Sequence, residues 1–403
     1  MRVLVGRNKL VIAGLLLALA GRAEAVQEGD LRKHTIDAAF TSGYQVSVAD
    51  INGDAMPDIV ALSTVPSRLA WYRNPDWTRF EIATGTDRNI DVAPHDIDGD
   101  GDMDLALAYE FDLQRSDRGG NVCWLECPAD PTVTNEWRVY PIDAVPTSHR
   151  VRWGDVDGDG KVELLNLPII GVGAKAPAYT GALEFRSYTI PKDPRAATWN
   201  PVVLSRDLEL AHGFCVVSRE DVAKIDIYTA SAQGVLLHTF DTKRKASVSK
   251  QYGVGYEGSM PKRGASEVAV GVARSQGGSF LTAIEPWHGN EVVVYTSETP
   301  DTVPWPRTVI DTSLADGHAL ACVDLDGDGN DEIVAGGRGG ERSLNIYQFA
   351  TESAEWERTA IDKGGMGAAG VFIADINRDG RDDIVAIGTA TNNVVWYENV
   401  IAR

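Results

Sequence analysis

Short strand-like apolar runs such as Ile59-Val60-Ala61 and Ile333-Val334-Ala335 recur along the chain, each preceded by an aspartate-rich loop containing glycine. Five loops stand out: Asp50-Ile-Asn52-Gly-Asp54, Asp96-Ile-Asp98-Gly-Asp100-Gly, Asp155-Val-Asp157-Gly-Asp159-Gly, Asp324-Leu-Asp326-Gly-Asp328-Gly and Asp375-Ile-Asn377-Arg-Asp379-Gly. β-Branched runs bounded by turn residues predict strands, so each loop joins two strands. An EF-hand would need a bidentate Glu at loop position 12, where this chain has Ala61, Leu107, Asn166, Ala335 and Ala386. Instead an acid occupies position 9 each time: Asp58, Asp104, Glu163, Glu332 and Asp383.

Oxygen ligands converging from a tight turn favour a hard cation. The expected cofactor is structural Ca2+ at up to five sites, with Asp50, Asn52, Asp54 and Asp58; Asp96, Asp98, Asp100 and Asp104; Asp155, Asp157, Asp159 and Glu163; Asp324, Asp326, Asp328 and Glu332; and Asp375, Asn377, Asp379 and Asp383 as ligands. The loops recur at about fifty residues, except for one gap of roughly three such steps. Aligning on the position-9 acid places two degenerate copies in the gap, Ser218 to Asp226 and Ser259 to Glu267. There Val222, Lys224, Pro261 and Arg263 replace ligands, so no cation is expected.

A second motif repeats out of phase: Trp77-Thr-Arg-Phe-Glu-Ile82, Glu136-Trp-Arg-Val-Tyr-Pro-Ile142, Trp305-Pro-Arg-Thr-Val-Ile310 and Trp356-Glu-Arg-Thr-Ala-Ile361. Weaker copies lie near Val202 to Leu204 and Leu237 to Phe240, and another is Leu31-Arg-Lys-His-Thr-Ile36. The last repeat stops after Val394-Val395-Trp396-Tyr397 without one, so the N-terminal strand should complete it. The predicted fold is all-β: a seven-bladed β-propeller of four-stranded blades over residues 26–403, its last blade closed by the N-terminal strand.

Residues 1–25 read as a signal peptide, with Arg2, Arg7 and Lys9 before an apolar run and Ala23-Glu24-Ala25 as a cleavage site. The mature chain is therefore expected to be periplasmic or secreted, without membrane insertion. A formal charge of −20 with no basic cluster argues against nucleic acid as a partner. The four cysteines form no disulfide framework; Cys215 and Cys322 read as core thiols, and Cys123 and Cys127 are too far apart on one extended strand to pair. Gly253-Val-Gly255-Tyr-Glu-Gly258 matches a dinucleotide-binding spacing, but no helix pattern follows it.

The acidic repeats and their following strands resemble the FG-GAP/VCBS family of propellers across nearly all of residues 30–400. In such a blade the acidic loops share one rim, so a functional site is expected on the other. Three histidines lie six residues before loop position 1 at the start of innermost strands: His149, His212 and His318. Long connections at 109–121, 168–181 and 273–290 are expected on that same rim, bringing Glu110, Arg115, Arg118, Lys175, Tyr179, Glu285, Trp287 and His288.

Within blades 3 to 5, Thr147-Ser-His149-Arg-Val-Arg-Trp153, Ala211-His212-Gly-Phe214 and Ile284-Glu285-Pro-Trp287-His288-Gly-Asn290 resemble the propeller domain of the aldos-2-ulose dehydratase family. That resemblance implies a lyase acting by β-elimination on a keto sugar, with a carbohydrate-derived small molecule as partner and His149 as the base. His212, His288 and Glu285 are then assigned as ligands of a catalytic divalent metal or as oxyanion stabilisers. His318, Tyr256, Trp287, Glu110 and Arg115 are assigned to substrate. The alternatives are a calcium-stabilised propeller that binds a glycan or protein without turnover, and a purely structural repeat protein. Imidazoles more than about 10 Å apart would remove the basis of the catalytic reading.

Overall fold

Repetition of one strand pattern produces one sheet seven times over. The computed structural model describes residues 26–82, 84–196, 198–218, 225–244, 246–274 and 278–401. They form seven four-stranded antiparallel sheets in a ring, and the described residues contain no helix beyond a 3-10 turn at Glu28–Asp30. Blade 1 runs outward through Gly43–Ala49, Asp58–Ser63, Arg68–Arg73 and Thr78–Glu81. The expected signal at 1–25 lies outside the described residues, as do positions 219–224 of the first degenerate copy.

Ring closure follows the sequence expectation. Strand Leu31–Asp37 pairs antiparallel with Asn393–Asn399, from Leu31 opposite Asn399 to Asp37 opposite Val394. It supplies the outer strand to Ala368–Ala374, Asp383–Gly388 and Asn393–Asn399. No blade is left with three strands and an open, templating edge.

The core lies between blades. Strands Asp58–Ser63, Glu332–Gly337 and Asp383–Gly388 are buried at every position because neighbouring sheets cover both faces. Leu62 and Trp71 of blade 1 meet Leu105, Leu107 and Cys123 of blade 2 in one such layer. The acid closing the outer-strand motif then clips adjacent blades together. Tyr72 donates to Asp37 at 2.7 Å, Tyr188 to Asp143 at 2.7 Å, Tyr347 to Asp311 at 2.5 Å and Tyr397 to Asp362 at 2.6 Å. In each case a third-strand tyrosine reaches the end of the preceding blade's outer strand.

Blades 4 and 5 correct the sequence reading. Leu237 to Phe240 belongs to the third strand of blade 4, Gly234–Phe240, and the outer strand is Ala246–Gly253. That outer strand carries Ser247, Ser249, Lys250 and Gln251 in place of the Trp-x-Arg signal. In blade 5, Glu267 opens the innermost strand Glu267–Ala273; the second strand is Gly278–Glu285. An acid followed by Val268-Ala-Val270 copies the position-9 pattern, but it serves the opposite rim. The second-to-third-strand connection of blade 5 is therefore the short segment 286–290, and only blades 2 and 3 carry long ones, at 110–120 and 169–184.

The clips give a direct test. Tyr397→Phe removes the donor to the buried Asp362 carboxylate, which also pairs with the exposed Lys33 at 2.5 Å. A loss of about 1–3 kcal/mol is expected in urea unfolding, from a carboxylate left short of a partner.

Candidate active site

The innermost strands place one residue at the same height around the channel, six positions before each acidic loop. Blade 1 offers Tyr44 there, blade 3 His149, blade 4 His212 and blade 6 His318. His288 arrives from the 286–290 segment of blade 5. The four imidazoles converge: ring centroids are 4.6 Å apart for His149 and His212, 4.8 Å for His212 and His288, 4.7 Å for His212 and His318, and 5.4 Å for His288 and His318. All but His288 are buried.

Hydrogen bonds fix how each ring is oriented. His149 Nδ1 faces the His212 carbonyl oxygen at 3.0 Å, and His318 Nδ1 faces the Ala369 carbonyl at 2.5 Å. A carbonyl only accepts, so both Nδ1 atoms carry the proton and both Nε2 atoms keep a lone pair. His212 Nδ1 donates to Glu267 Oε1 at 2.7 Å, which frees its Nε2 as well. His288 has two tautomers available. With the proton on Nε2 it donates to His212 Nε2 at 3.0 Å and accepts from Arg338 on Nδ1 at 3.1 Å. With the proton on Nδ1 it donates to Asp316 at 3.2 Å, and a fourth Nε2 lone pair joins the group.

A layer of charged residues surrounds the rings. The Tyr44 hydroxyl lies 2.9 Å from His149 Nε2 and 3.1 Å from His318 Nε2. Arg150, 2% exposed, donates to His149 Nε2 at 3.2 Å and to Glu267 at 3.2 Å. Arg338 grips Asp316 through two 2.9 Å bonds. Burial drives the proton affinities of His149, His212 and His318 well below the ordinary imidazole value, and nearby Arg150 and the other imidazoles add to the effect. Burial lowers His288 too and raises Glu267, although Arg150 opposes the latter. Burial alone would raise the Asp316 carboxyl, yet hydrogen bonds from His288 and Arg338 hold it below its usual range. At neutral pH the cluster is a set of uncharged nitrogen donors.

The residues expected from sequence divide into those at the cluster and those away from it. His149, His212, His288 and His318 come together. Glu285 does not join them: its buried carboxylate accepts from the Tyr295 hydroxyl and from Arg307 Nε at 2.9 Å. Trp287 packs over His288 with centroids 4.7 Å apart and meets Tyr179 edge-on at 5.6 Å, in an apolar cluster with Ile169, Ile170 and Leu210. Tyr256 stands exposed at a backbone bridge with Gly264. Glu110 and Arg115 line a separate cleft in the 110–120 loop, whose Phe111 ring lies 5.4 Å from His149. Tyr44, Arg150, Glu267, Asp316 and Arg338 were missed. Counting six residues back from Asp50, as from the other loops, would have reached Tyr44.

On the opposite rim three loops each bring three carboxylates within 4.8 Å: Asp96, Asp98 and Asp104; Asp155, Asp157 and Glu163; Asp324, Asp326 and Glu332. These are positions 1, 3 and 9 of the expected ligands; the position-5 acids Asp100, Asp159 and Asp328 do not belong to the groups. Burial, with neighbouring carboxylates, pushes Asp104 and Glu163 up to about 7 and Glu332 to about 9. Such crowded acids fit a cation. In the first and last loops Asn52 and Asn377 stand at position 3 and donate to Asp54 and Asp379 at 3.0 and 3.1 Å.

Seven four-stranded antiparallel sheets in a ring define a seven-bladed β-propeller, and residues 50–107 and 324–386 match the FG-GAP-like repeat family. Residues 119–298, which hold His149, His212, Glu267 and His288, match the family described as aldos-2-ulose dehydratase, β-propeller domain. The chain is 25% identical over 260 residues to aldos-2-ulose dehydratase of Phanerodontia chrysosporium, an alignment covering 60% of this chain and 27% of that protein. It is 26% identical over 140 residues to integrin alpha pat-2 of Caenorhabditis briggsae, covering 32% and 10%. The chain thus spans about a quarter or less of these curated relatives. Among solved structures, BBS1N from its complex with ARL6DN superposes with a TM-score of 0.55 at 11% identity, covering 93% of this chain and 98% of that one. The Cps50 (Swd1) propeller domain of Myceliophteria thermophila gives 0.52 at 9% identity, covering 91% and 98%. Both likenesses concern fold alone. Among the described residues no helix is long and apolar enough to cross a membrane.

Arg150 offers a test of the cluster's electrostatics. Arg150→Met leaves Glu267 buried without its cation, and breaking such a pair is expected to cost about 3–5 kcal/mol. Loss of the cation beside His149 should also raise that imidazole's proton affinity, read as an upward-shifted His149 titration by NMR.

Proposed function

We propose that the propeller mouth is a carbon–oxygen lyase site that acts by β-elimination on a keto sugar, of the 1,5-anhydro-D-fructose or 3-keto-glycoside type. The observation that carries this reading is the convergence of four imidazoles, neighbouring ring centroids lying 4.6–5.4 Å apart, with His149, His212 and His288 in a segment similar to the aldos-2-ulose dehydratase propeller. The Nδ1 atoms of His149, His212 and His318 are each held from outside by a carbonyl or carboxylate, the arrangement that orients imidazoles as metal ligands, while their Nε2 atoms turn inward to Tyr44, Arg150 and His288.

His212, His288 and His318 fit a divalent transition ion, since their ligand nitrogens lie within 4.8 Å of one another and nitrogen donors suit such a metal. When bound it would supply Lewis-acid polarisation of the substrate ketone. His318 thus moves from substrate contact to ligand, and Glu285 leaves the ligand set. If those three rings held a metal, Tyr44 would keep its hydrogen bond to His149 and give up the one to His318. The proton next to the ketone passes into the Tyr44–His149 pair and comes to rest on His149 Nε2. The C–H electron pair becomes the new C=C bond, and the C–O pair departs with hydroxide, or with alkoxide if the group is a glycoside. Burial and Arg150 keep His149 unprotonated at physiological pH, so its Nε2 lone pair is available, while the same effects disfavour the imidazolium that proton transfer forms.

On the opposite rim we propose structural Ca2+ in the loops of blades 2, 3 and 6, and export of the mature chain to a compartment where that ion is plentiful.

Two experiments bear on this. His149→Ala should lower turnover, followed as enone absorbance from 1,5-anhydro-D-fructose or a 3-keto-glycoside, by about a hundredfold or more, the usual scale of one general base. His318→Ala should abolish retention of the divalent metal as well as turnover; unchanged activity in both variants would sink the assignment. Separately, EGTA should lower the melting temperature and added Ca2+ restore it, less completely in Asp326→Ala.

A further inference from the structure

The cleft that holds Glu110 and Arg115 lies apart from the histidines but opens on the same rim. It measures about 420 Å³ and is walled by Asp87, Arg88, Glu110, Asp112, Arg115 and Arg118. Its floor is set by two segments bonded together: Glu110 N donates to the Asp87 carbonyl at 2.7 Å and Phe111 N to the Arg88 carbonyl at 3.2 Å. Arg88 and Glu110 both hold left-handed backbone, with φ of 49° and 55°. Side chains other than glycine are uncommon there, and strain of this kind gathers at binding sites. The 110–120 loop closes tightly on itself at Gly119, where a Cβ would meet the Glu110 carbonyl oxygen at 2.8 Å.

Hydrogen-bonding capacity is left over. Asp112 takes Arg88 Nη1 at 2.5 Å and Arg115 Nε at 2.6 Å, which orients both guanidinium groups. Among the described residues Arg115 hydrogen-bonds to Asp112 through Nε, and the solvent-exposed Glu110 carboxylate accepts no side-chain hydrogen bond. Three guanidinium groups, from Arg88, Arg115 and Arg118, stand against three carboxylates, from Asp87, Glu110 and Asp112. The cleft lining therefore carries no net formal charge and offers both donors and acceptors. That balance suits vicinal hydroxyl groups, each of which donates and accepts, and favours neither an anionic nor a cationic ligand.

We propose that this cleft is a subsite for a second, uncharged sugar ring linked to the one that reacts at the histidines. The proposal rests on the keto-sugar reading of the mouth and narrows its substrate class to an oligosaccharide or disaccharide glycoside. Continuity is provided by Phe111, which adjoins Glu110 in the chain and faces His149. The 110–120 loop thus joins the two places, and its length has a use.

The test compares kcat/KM for a neutral 3-keto-disaccharide with that for the methyl 3-keto-glycoside. Arg115→Ala should lower the disaccharide-to-methyl ratio tenfold or more, and Glu110→Gln should lower it less. An unchanged ratio in both variants, or a wild-type preference for a uronate or amino-sugar disaccharide, overturns the proposal. If no keto sugar turns over, the lyase reading fails by itself. Calorimetric titration with the unoxidised neutral disaccharide then decides the subsite: binding at least tenfold tighter to wild type than to Arg115→Ala supports it, and equal or undetectable binding overturns it.

Discussion

The ring depends on a carboxylate buried at the start of the second strand. In five blades one oxygen of that acid accepts the amide of loop position 2, at 3.0 Å for Asp58, Asp104, Glu163 and Asp383 and 2.9 Å for Glu332. In three blades the other oxygen accepts an amide at or just past the end of the third strand, from Asn74 at 2.8 Å, Cys127 at 2.8 Å and Asn399 at 2.7 Å. A carboxylate placed in this environment without such donors would be strongly disfavoured. The donor residue also reaches the preceding blade. Asn74 and Asn399 side chains donate to the Ile376 and Leu325 carbonyls at 2.8 Å, and the Cys127 thiol takes the same role toward Ile51 at 3.8 Å. In those three blades one acid thereby holds its loop, its blade and the joint with the preceding one, whether or not a cation sits beside it.

This explains why the fold was legible and where legibility failed. The position-9 acid, its loop and the outer-strand motif are local signals with fixed spacing, and they located the closure by Leu31–Asp37. They failed in blades 4 and 5, where the loops lost their aspartates and the pattern that remained, an acid before alternating apolar residues, was ambiguous. Glu267 satisfied the pattern yet belongs to an innermost strand, where it answers Arg150 and His212. The mistake shifted one strand, lengthened a loop that is short, and made Glu285 look exposed to the mouth when it is bound to Arg307. The free thiols Cys123 and Cys127 agree with the absence of a disulfide framework, though Cys215 and Cys322 are only partly buried.

Histidine convergence was legible for a different reason. A repeat that fixes strand register also fixes height along the channel, so a constant offset from the loop becomes a constant position on the opposite rim. What no spacing rule supplies is a partner from a different element. Asp316 and Arg338 reach His288 through blade 6, and Arg150 reaches Glu267 across 117 positions of sequence, contacts that exist only once the ring is closed.

Closure also decides the charge state of the mouth. Arg150 and Arg338 are each matched by one carboxylate, Glu267 and Asp316, so the groups around the imidazoles bring no net charge. The imidazoles themselves are uncharged, because protonating one would place a cation among buried rings already facing two guanidinium groups. Neutral lone pairs held from outside in this way need little rearrangement to receive an ion. Any ion they took up would give the mouth a positive excess beside the Tyr44–His149 pair, where an oxygen gaining negative charge during proton removal is stabilised most. His288 is the adjustable member: moving its proton from Nε2 to Nδ1 exchanges a bond to His212 for one to Asp316 and turns a closed hydrogen-bond relay into an open set of ligands.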